Sequence, residues 1–174
     1  EEFDHNGNGT RVALGNGLKV VSEFDNFGRP DNVKTKKGGT TIHHEKYTFN
    51  GAGKMFEVQR DDLSERRRYG YDSNGRLTSS IITRSGKTHE ENYIFDKNDN
   101  LTSVFSGLNT TSYELDDENS RVSSITGGTS ASYNYDGAGN IIRKTKGGKN
   151  TDFTYRGGKL TKIVGPNGTT RLDG

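Results

Sequence analysis

The sequence predicts an all-β fold of tandem β-hairpin repeats that pair into one long, curved and twisted antiparallel sheet. A unit of 20 to 25 residues recurs about seven times along the 174-residue chain, and such a period is typical of repeat proteins. Glycine-rich or polar turn signals alternate roughly every 10 to 12 residues, the spacing of short strands in an all-β chain. Only 26% of the residues are hydrophobic, too few for a thick two-layer core.

Each repeat is predicted to form one hairpin. Tyr69 and Tyr71 are two residues apart and therefore project from the same face of a strand. The Asp72 side chain can accept from backbone amides two residues further on, and Gly75 supplies the positive φ of a tight reversal. The repeat-signature residues, to which we assign a structural role, are Phe24, Asp25, Gly28, Tyr47, Phe49, Gly53, Tyr69, Tyr71, Asp72, Gly75, Tyr93, Phe95, Asp96, Tyr113, Asp116, Tyr133, Tyr135, Asp136, Gly139, Phe153 and Tyr155.

The period divides the chain into a single array of about seven hairpins, and two strands in each hairpin give roughly 14 strands. One copy has Leu115 in the second aromatic slot and an extra residue before Val122, and the shortened last copy has Arg156 where Asp is usual. We expect both of these hairpins to be irregular. The only candidate helix, residues 61–67, is short. The approximate repeat bounds are 1–34, 35–60, 61–84, 85–106, 107–126, 127–146 and 147–174.

Charge and composition exclude several classes of partner. The 25 basic and 23 acidic residues give a net charge of +2, which predicts neither nucleic acid nor an anionic membrane as partner. No apolar run approaches the roughly 20 residues of a membrane span, so we expect no membrane insertion. The chain has no cysteine, which excludes disulfides and thiol chemistry.

No catalytic or cofactor motif is recognisable in the sequence. The four histidines are His5, His43, His44 and His89. Neighbouring strand residues face opposite sides, so His43 and His44 cannot easily share a metal ion. The recurring aspartates serve turn geometry and do not form an acid/base pair. We predict no catalytic, cofactor-binding or metal-binding residue, no cofactor, and no enzymatic activity.

Two polar clusters have a functional and a structural interpretation. Asp4, Asn6 and Asn8 begin like a calcium-binding loop, but Gly15 stands where such a loop needs a bidentate carboxylate. A polar hairpin loop is the interpretation that we favour there. Residues 66–68 are three consecutive arginines with Asp61, Asp62 and Glu65 nearby, which favours local ion pairing over phosphate binding.

The repeats resemble the YD repeats of rearrangement-hotspot (Rhs) proteins, teneurins and the shell components of insecticidal toxin complexes. Residues 24–30 (FDNFGRP), 69–77 (YGYDSNGRL) and 133–141 (YNYDGAGNI) carry the resemblance, which covers essentially the whole chain. It implies a segment of a spiral β-shell around a C-terminal effector domain, in a secreted or cell-surface bacterial protein. The shell-closing segment of that family is not recognisable, and we expect the chain to be excised from a longer protein.

The function predicted from the resemblance is a non-enzymatic structural module of such a shell. Its expected partners are flanking repeats and a C-terminal effector domain of the same protein, with edge-strand self-association of the fragment. The alternative is an adhesion module whose aromatic-bearing sheet binds cell-surface glycan or protein. A third option, an animal-type adhesion ectodomain, is permitted by four glycosylation sequons at Asn8, Asn100, Asn109 and Asn167.

Overall fold

Short antiparallel strands make up most of the described chain, and tight turns connect them. The computed structural model describes residues 2–4, 6–116 and 121–172, in which seventeen strands and one 3₁₀ turn occur. The described residues contain no α-helix. The predicted all-β class and the tandem antiparallel hairpins are confirmed. His5 lies outside the described residues.

Two compact units, residues 1–92 and 93–174, divide the chain. Within each unit every strand pairs antiparallel with the next strand in sequence. The first unit contains β1 (Glu2–Phe3), β2 (Gly9–Ala13), β3 (Leu18–Phe24), β4 (Pro30–Lys37), β5 (Thr40–Phe49), β6 (Met55–Arg60), β7 (Glu65–Tyr71), β8 (Leu77–Arg84) and most of β9 (Lys87–Phe95). The second contains β10 (Leu101–Ser106), β11 (Asn109–Leu115), β12 (Val122–Thr126), β13 (Ala131–Tyr135), β14 (Ile141–Lys146), β15 (Lys149–Arg156), β16 (Lys159–Gly165) and β17 (Gly168–Arg171).

The strands beyond the expected fourteen lie near the two ends of the chain. Residues 1–34 contain β1 to β3 and the first part of β4, because the chain also reverses between Phe3 and Gly9 and between Ala13 and Leu18. Residues 147–174 contain β15, β16 and β17. The candidate helix at 61–67 is limited to a 3₁₀ turn at Asp61–Leu63, because Glu65 already pairs with Arg60 across the β6–β7 hairpin.

The register defines two faces of the sheet in each unit, since direct cross-strand partners share a face. Tyr47 pairs with Val58, and Val58 with Arg67. Tyr69, two residues further along β7, therefore lies on the same face. We call the face that carries the signature aromatic pairs the aromatic face, and the opposite one the polar face.

Burial is slight throughout, as expected of a single layer. Among the described residues only Val58, Ala131 and Glu65 are buried, at 7%, 7% and 5% exposure. All three lie on the aromatic face. Stability therefore depends on backbone pairing and on contacts between adjacent repeats, as in other repeat proteins.

A β-bulge recurs beside the second aromatic residue of the repeats. Gly70 pairs with Ser79 but Tyr71 pairs with Leu77, so Thr78 is an extra residue on β8. A hydroxyl at this extra position can bond to the opposite strand: Thr161 Oγ1 donates to the Thr154 carbonyl at 3.1 Å. Bulges increase local twist and fix register. The same shift occurs after Glu2, Glu23, Thr48, Glu114, Asn134 and Thr154.

Candidate functional site

The repeat turns are closed by the side chain of their first residue. Gly75 N donates to the Asp72 carbonyl at 3.0 Å, and Asp72 N donates to the Arg76 carbonyl at 3.0 Å. Asp72 Oδ1 accepts from Asn74 N at 3.0 Å, as the sequence predicts, and also from Arg76 N at 2.9 Å. Arg76 Nε then donates to Asp72 Oδ2 at 2.7 Å. One carboxylate thus accepts two backbone amides and one side-chain donor within the same turn.

These hydrogen bonds stabilise the ionised form of the turn aspartates. The pKa of Asp72 is lowered chiefly by the backbone and side-chain donors of Arg76. The pKa of Asp136 is lowered chiefly by the Asn140 amide side chain, and that of Asp25 by the Arg29 guanidinium. A lowered carboxyl pKa suits a hydrogen-bond acceptor and is the opposite of what a general acid at neutral pH requires.

Asp4 forms the same kind of turn, although it was considered above as the start of a calcium loop. Asp4 Oδ1 accepts from Asn6 N at 2.9 Å and Asn8 N at 2.8 Å, and Asn8 Nδ2 donates to Oδ2 at 2.9 Å. Gly7 N donates a hydrogen bond to the Asp4 carbonyl at 3.1 Å. The arrangement matches the repeat turns and supports the polar hairpin interpretation. In the sequence, Phe3 and Asp4 correspond to the second aromatic residue and the aspartate of the repeat, but the first aromatic residue of the pair is absent.

Adjacent turns pack together through the turn glycines of several repeats. A methyl group built on Gly75 would lie 2.5 Å from Lys54 Cε, and one on Gly53 would lie 3.5 Å from Arg29 Nη1. On Gly139 it would lie 3.4 Å from Arg121 Cζ. In each case the last residue of one turn lies over the glycine of the next. The glycine therefore supplies both a positive φ and the space for its neighbour.

The same basic side chains lie over the signature aromatic rings. The Arg29 guanidinium carbon is 4.3 Å from the centroid of Phe49. Lys54 Nζ is 5.6 Å from that of Tyr71. Such cation–π contacts contribute about 0.5–1 kcal/mol each at exposed sites. They join consecutive hairpins without an extensive core.

Where the second aromatic residue is tyrosine, its hydroxyl can bond to the preceding repeat. Tyr71 Oη donates to the Met55 carbonyl and Tyr135 Oη to the Val122 carbonyl, both at 2.8 Å. Met55 and Val122 are the first residues of the strands that follow the preceding turns. The basic residue of one turn, the tyrosine ring of the next repeat and its hydroxyl group thus belong to one contact between repeats, which occurs at both Tyr71 and Tyr135.

The signature residues occupy equivalent places along the chain. The aromatic residues lie in β3, β5, β7, β9, β11, β13 and β15, and the aspartates and glycines lie in the connections that follow, except after β15. In the Asp96 turn the glycine position is taken by Asp99, which has a positive φ of 67°. The signature residues are distributed along the repeats and do not converge on one site.

The two irregular copies differ as their sequences suggest. Asp116 N donates to the Arg121 carbonyl at 2.8 Å, so this connection is one residue longer than the others. The copy at Phe153 lacks the aspartate-centred turn. There Arg156 pairs directly with Lys159 across Gly157 and Gly158, whose φ values of 56° and 77° are both positive.

The first unit also contains a network of ion pairs on its aromatic face. Buried Glu65 lies 2.7 Å from Arg67 Nε and 3.7 Å from Arg60 Nη1. Arg67 holds the pKa of Glu65 below its ordinary value. Arg60 Nε lies 3.2 Å from Glu45 Oε1 but is not oriented to form a hydrogen bond. Tyr47 donates to Glu45, and burial with that carboxylate raises the pKa of Tyr47 to about 12.

The three arginines at 66–68 pair locally, but not with all the expected partners. Arg67 contacts Glu65, whereas Arg66 and Arg68 both contact Glu57, at 3.6 and 2.7 Å. Strand pairing explains this choice, because Arg68 lies directly opposite Glu57 in the β6–β7 hairpin.

Asp61 and Asp62 instead contact the two neighbouring histidines. His44 Nδ1 is 2.7 Å from Asp61, and His43 Nδ1 is 3.0 Å from Asp62. The partners of His43 and His44 in β4 are consecutive residues, so the two rings lie on opposite faces. His89 lies 3.4 Å from Glu91. In the part of the chain that the structure describes, no three His, Cys, Asp or Glu residues are grouped to hold a metal ion.

None of the described segments is a helix long and apolar enough to cross a membrane.

Comparison with known proteins identifies the type of repeat. A search of curated protein sequences finds no match. Three crystal structures of TcdB2-TccC3 share the fold: one without the hypervariable C-terminal region (TM-score 0.62), one titled TcdB2-TccC3-TEV (0.59) and one titled TcdB2-TccC3 (0.59).

Sequence identity to each of these structures is 13%. The alignments cover 93%, 97% and 92% of this chain but only 12%, 12% and 13% of the respective structures. The chain therefore spans about an eighth of the length of the structures that it matches. The family description Teneurin YD-shell matches residues 5–170. On this match, together with the recurring turn and inter-repeat contacts, the chain belongs to the teneurin YD-shell family and is a structural shell module.

Proposed function

We propose that this chain forms one section of a shell wall that encloses or presents a C-terminal effector domain, in a secreted or cell-surface bacterial protein. Its action is steric. The hydrogen-bonded wall separates a polypeptide made downstream of it from the surrounding medium. Flanking repeats and the effector domain of the same longer protein are its partners.

The observation that carries this proposal is the recurring contact between consecutive turns. Tyr71 and Tyr135 bond to the backbone of the preceding repeat, and Lys54 and Arg121 lie over their rings. A contact that recurs between consecutive repeats extends a wall by addition of repeats. Nothing in it requires a bound ligand or a reacting group.

The experiment that tests the proposal is limited proteolysis of the native full-length gene product. Its intact mass is measured first, and the folded protein is then treated with protease. We expect a product much longer than 174 residues in which a C-terminal piece resists digestion. The control is the same protein denatured before digestion, in which that piece should be degraded.

Two results would contradict enclosure. One is a short native product, and the other is a long product whose C-terminal piece is digested as quickly in the folded protein as in the denatured control. Either result would favour the second candidate function, a module that binds cell-surface glycan or protein. The observation behind that candidate is Phe27, a turn aromatic that is 83% exposed with the Arg29 guanidinium 4.9 Å from its ring.

A further inference from the structure

Three lysines are neighbours on the aromatic face of the second unit. Lys144 and Lys146 are two residues apart on β14, so they share a face about 6.8 Å apart along the strand. Lys146 pairs directly with Lys149 of β15 across the turn formed by Gly147 and Gly148. Lys144 pairs with Tyr133 on the other side, which places all three on the aromatic face. We call Lys144, Lys146 and Lys149 the lysine patch.

Among the residues that the structure describes, the lysine patch has no acidic neighbour in the strands of its own face. Following the register through β10 to β17, every other described strand residue on the aromatic face is uncharged. Asp152, the only acidic residue in β14 to β17, lies on the polar face 2.6 Å from Arg143. Among the described residues, no carboxylate forms an ion pair with the patch.

Charges on the aromatic face of the first unit are arranged differently. There Glu65 contacts Arg67 and Arg60 within 3.7 Å, and Glu45 contacts Arg60 at 3.2 Å. Acidic and basic groups thus occur together on that face. Arg84 and Lys87 form a like-charged cross-strand pair there, but Arg84 also lies opposite Glu65. In the second unit Lys146 and Lys149 form a like-charged pair, which is destabilising, and no described carboxylate lies opposite either lysine. An acidic group from outside the chain would relieve that repulsion.

The patch lies at the junction of two shallow depressions of about 390 and 470 Å³, both lined by Lys144 and Lys146. The first depression extends away from the lysines and is also lined by Ile125, Ala131 and Tyr133. Lys144 Nζ is 5.9 Å from the centroid of the Tyr133 ring. The surface therefore combines three cations with an adjoining apolar floor.

We propose that the lysine patch and its apolar floor bind an acidic polypeptide segment that also carries an apolar side chain. The carboxylates would pair with the lysines, and the apolar side chain would pack on Ile125 and Tyr133, which are partly exposed. Side chains two apart on an extended peptide are spaced like Lys144 and Lys146. A peptide fits better than a sulfated glycan, because the depression beside the cations offers apolar surface for a side chain of the ligand. This inference goes beyond the proposed function.

The test is fluorescence anisotropy of the 174-residue chain with a short dye-labelled peptide that alternates glutamate and serine around a central leucine. At low ionic strength, we expect the K144Q/K146Q/K149Q variant to bind roughly tenfold more weakly, the combined effect of three exposed ion pairs. The matched control is K159Q/K162Q/R171Q, which removes the same charge from the polar face. It should change the affinity little.

Three outcomes would overturn the proposal: equal weakening in both triple variants, unchanged binding when the peptide glutamates are replaced by glutamine, and tighter binding of a sulfated oligosaccharide than of the peptide. Equal weakening in both variants would indicate a general attraction between opposite charges, and unchanged binding of the glutamine peptide would show that the patch does not recognise carboxylates. Tighter binding of the oligosaccharide would assign the patch to glycan. Thermal melting of both variants checks the fold. If the patch variant is unstable, the single reversal Lys146→Glu replaces it and must weaken the same peptide.

Discussion

The turn glycines provide the sharpest test of how consecutive repeats are joined. Gly75 has a φ of +80°, and a methyl group added to it would lie 2.5 Å from Lys54 Cε and 2.8 Å from Lys54 Nζ. Gly75→Ala therefore has two consequences. The turn must hold an alanine in the left-handed region, and the Lys54 side chain must move away from the Tyr71 ring.

Each consequence has an expected magnitude. A non-glycine residue in the left-handed region costs roughly 1–2 kcal/mol. Moving Lys54 sacrifices its cation–π contact with Tyr71, worth about 0.5–1 kcal/mol. The Lys54 side chain is flexible, so the overlap itself is relieved cheaply. Gly75→Ala should lower the free energy of unfolding by about 1.5–3 kcal/mol in total.

Two other glycines of the same unit separate these contributions. Gly17 has a φ of +79° with no atom within 4 Å of the added methyl group, so Gly17→Ala should cost only the conformational 1–2 kcal/mol or so. Gly51 has neither a positive φ nor a close neighbour, and Gly51→Ala should be neutral or slightly stabilising. Urea denaturation of the three variants, monitored by circular dichroism, measures the differences.

The reasoning would be refuted if Gly75→Ala and Gly17→Ala were equally destabilising, because the approach of Lys54 would then contribute nothing. A second check is a double-mutant cycle with Lys54→Ala. In that background Gly75→Ala should cost no more than Gly17→Ala does. If Gly75→Ala is as destabilising without Lys54 as with it, its additional loss of stability relative to Gly17→Ala arises elsewhere in the turn.

The remaining predictions concern a hydroxyl group and a carboxylate. Tyr135→Phe, which removes the bond to the Val122 carbonyl, should cost about 1 kcal/mol in urea denaturation. Tyr155→Phe is its control, since none of the described residues hydrogen-bonds to the Tyr155 hydroxyl, and equal losses would contradict the assignment. Arg67 lowers the folded-state pKa of Glu65 below the ordinary 4.5, so the stability that this carboxylate adds is present above that pH and lost as pH falls through the lowered value. Glu65→Gln should therefore flatten the acid side of a stability–pH profile, and an unchanged slope would be the contrary result.

The turns were predictable from the sequence because their interactions are local. The Asp72 carboxylate hydrogen-bonds to residues two and four positions away, and the positive φ of Gly75 is a property of that residue alone. Such short-range chemistry recurs wherever the residue types recur. The Asp4 turn was harder to recognise because its aromatic partner upstream is missing and its oxygen-rich residues also resemble a calcium loop.

The contacts between repeats were not predictable, because their partners lie in different hairpins. Lys54 lies over the ring of Tyr71, which is 17 positions further along the chain. The Tyr71 hydroxyl donates to the carbonyl of Met55, which is 16 positions earlier. Which side chains meet depends on register, and each bulge shifts the register by one residue. The pairing of Arg66 and Arg68 with Glu57, and not with Asp61 or Asp62, has the same origin.

The sequence by itself determined the all-β class and the position of most turns, since both follow from period, alternation and short-range hydrogen bonding. Tertiary structure decided which charges share a face, because two residues distant in sequence become neighbours only once the strands are in register. It thereby brought Glu45 beside Arg60 in the first unit and Lys144 beside Tyr133 in the second.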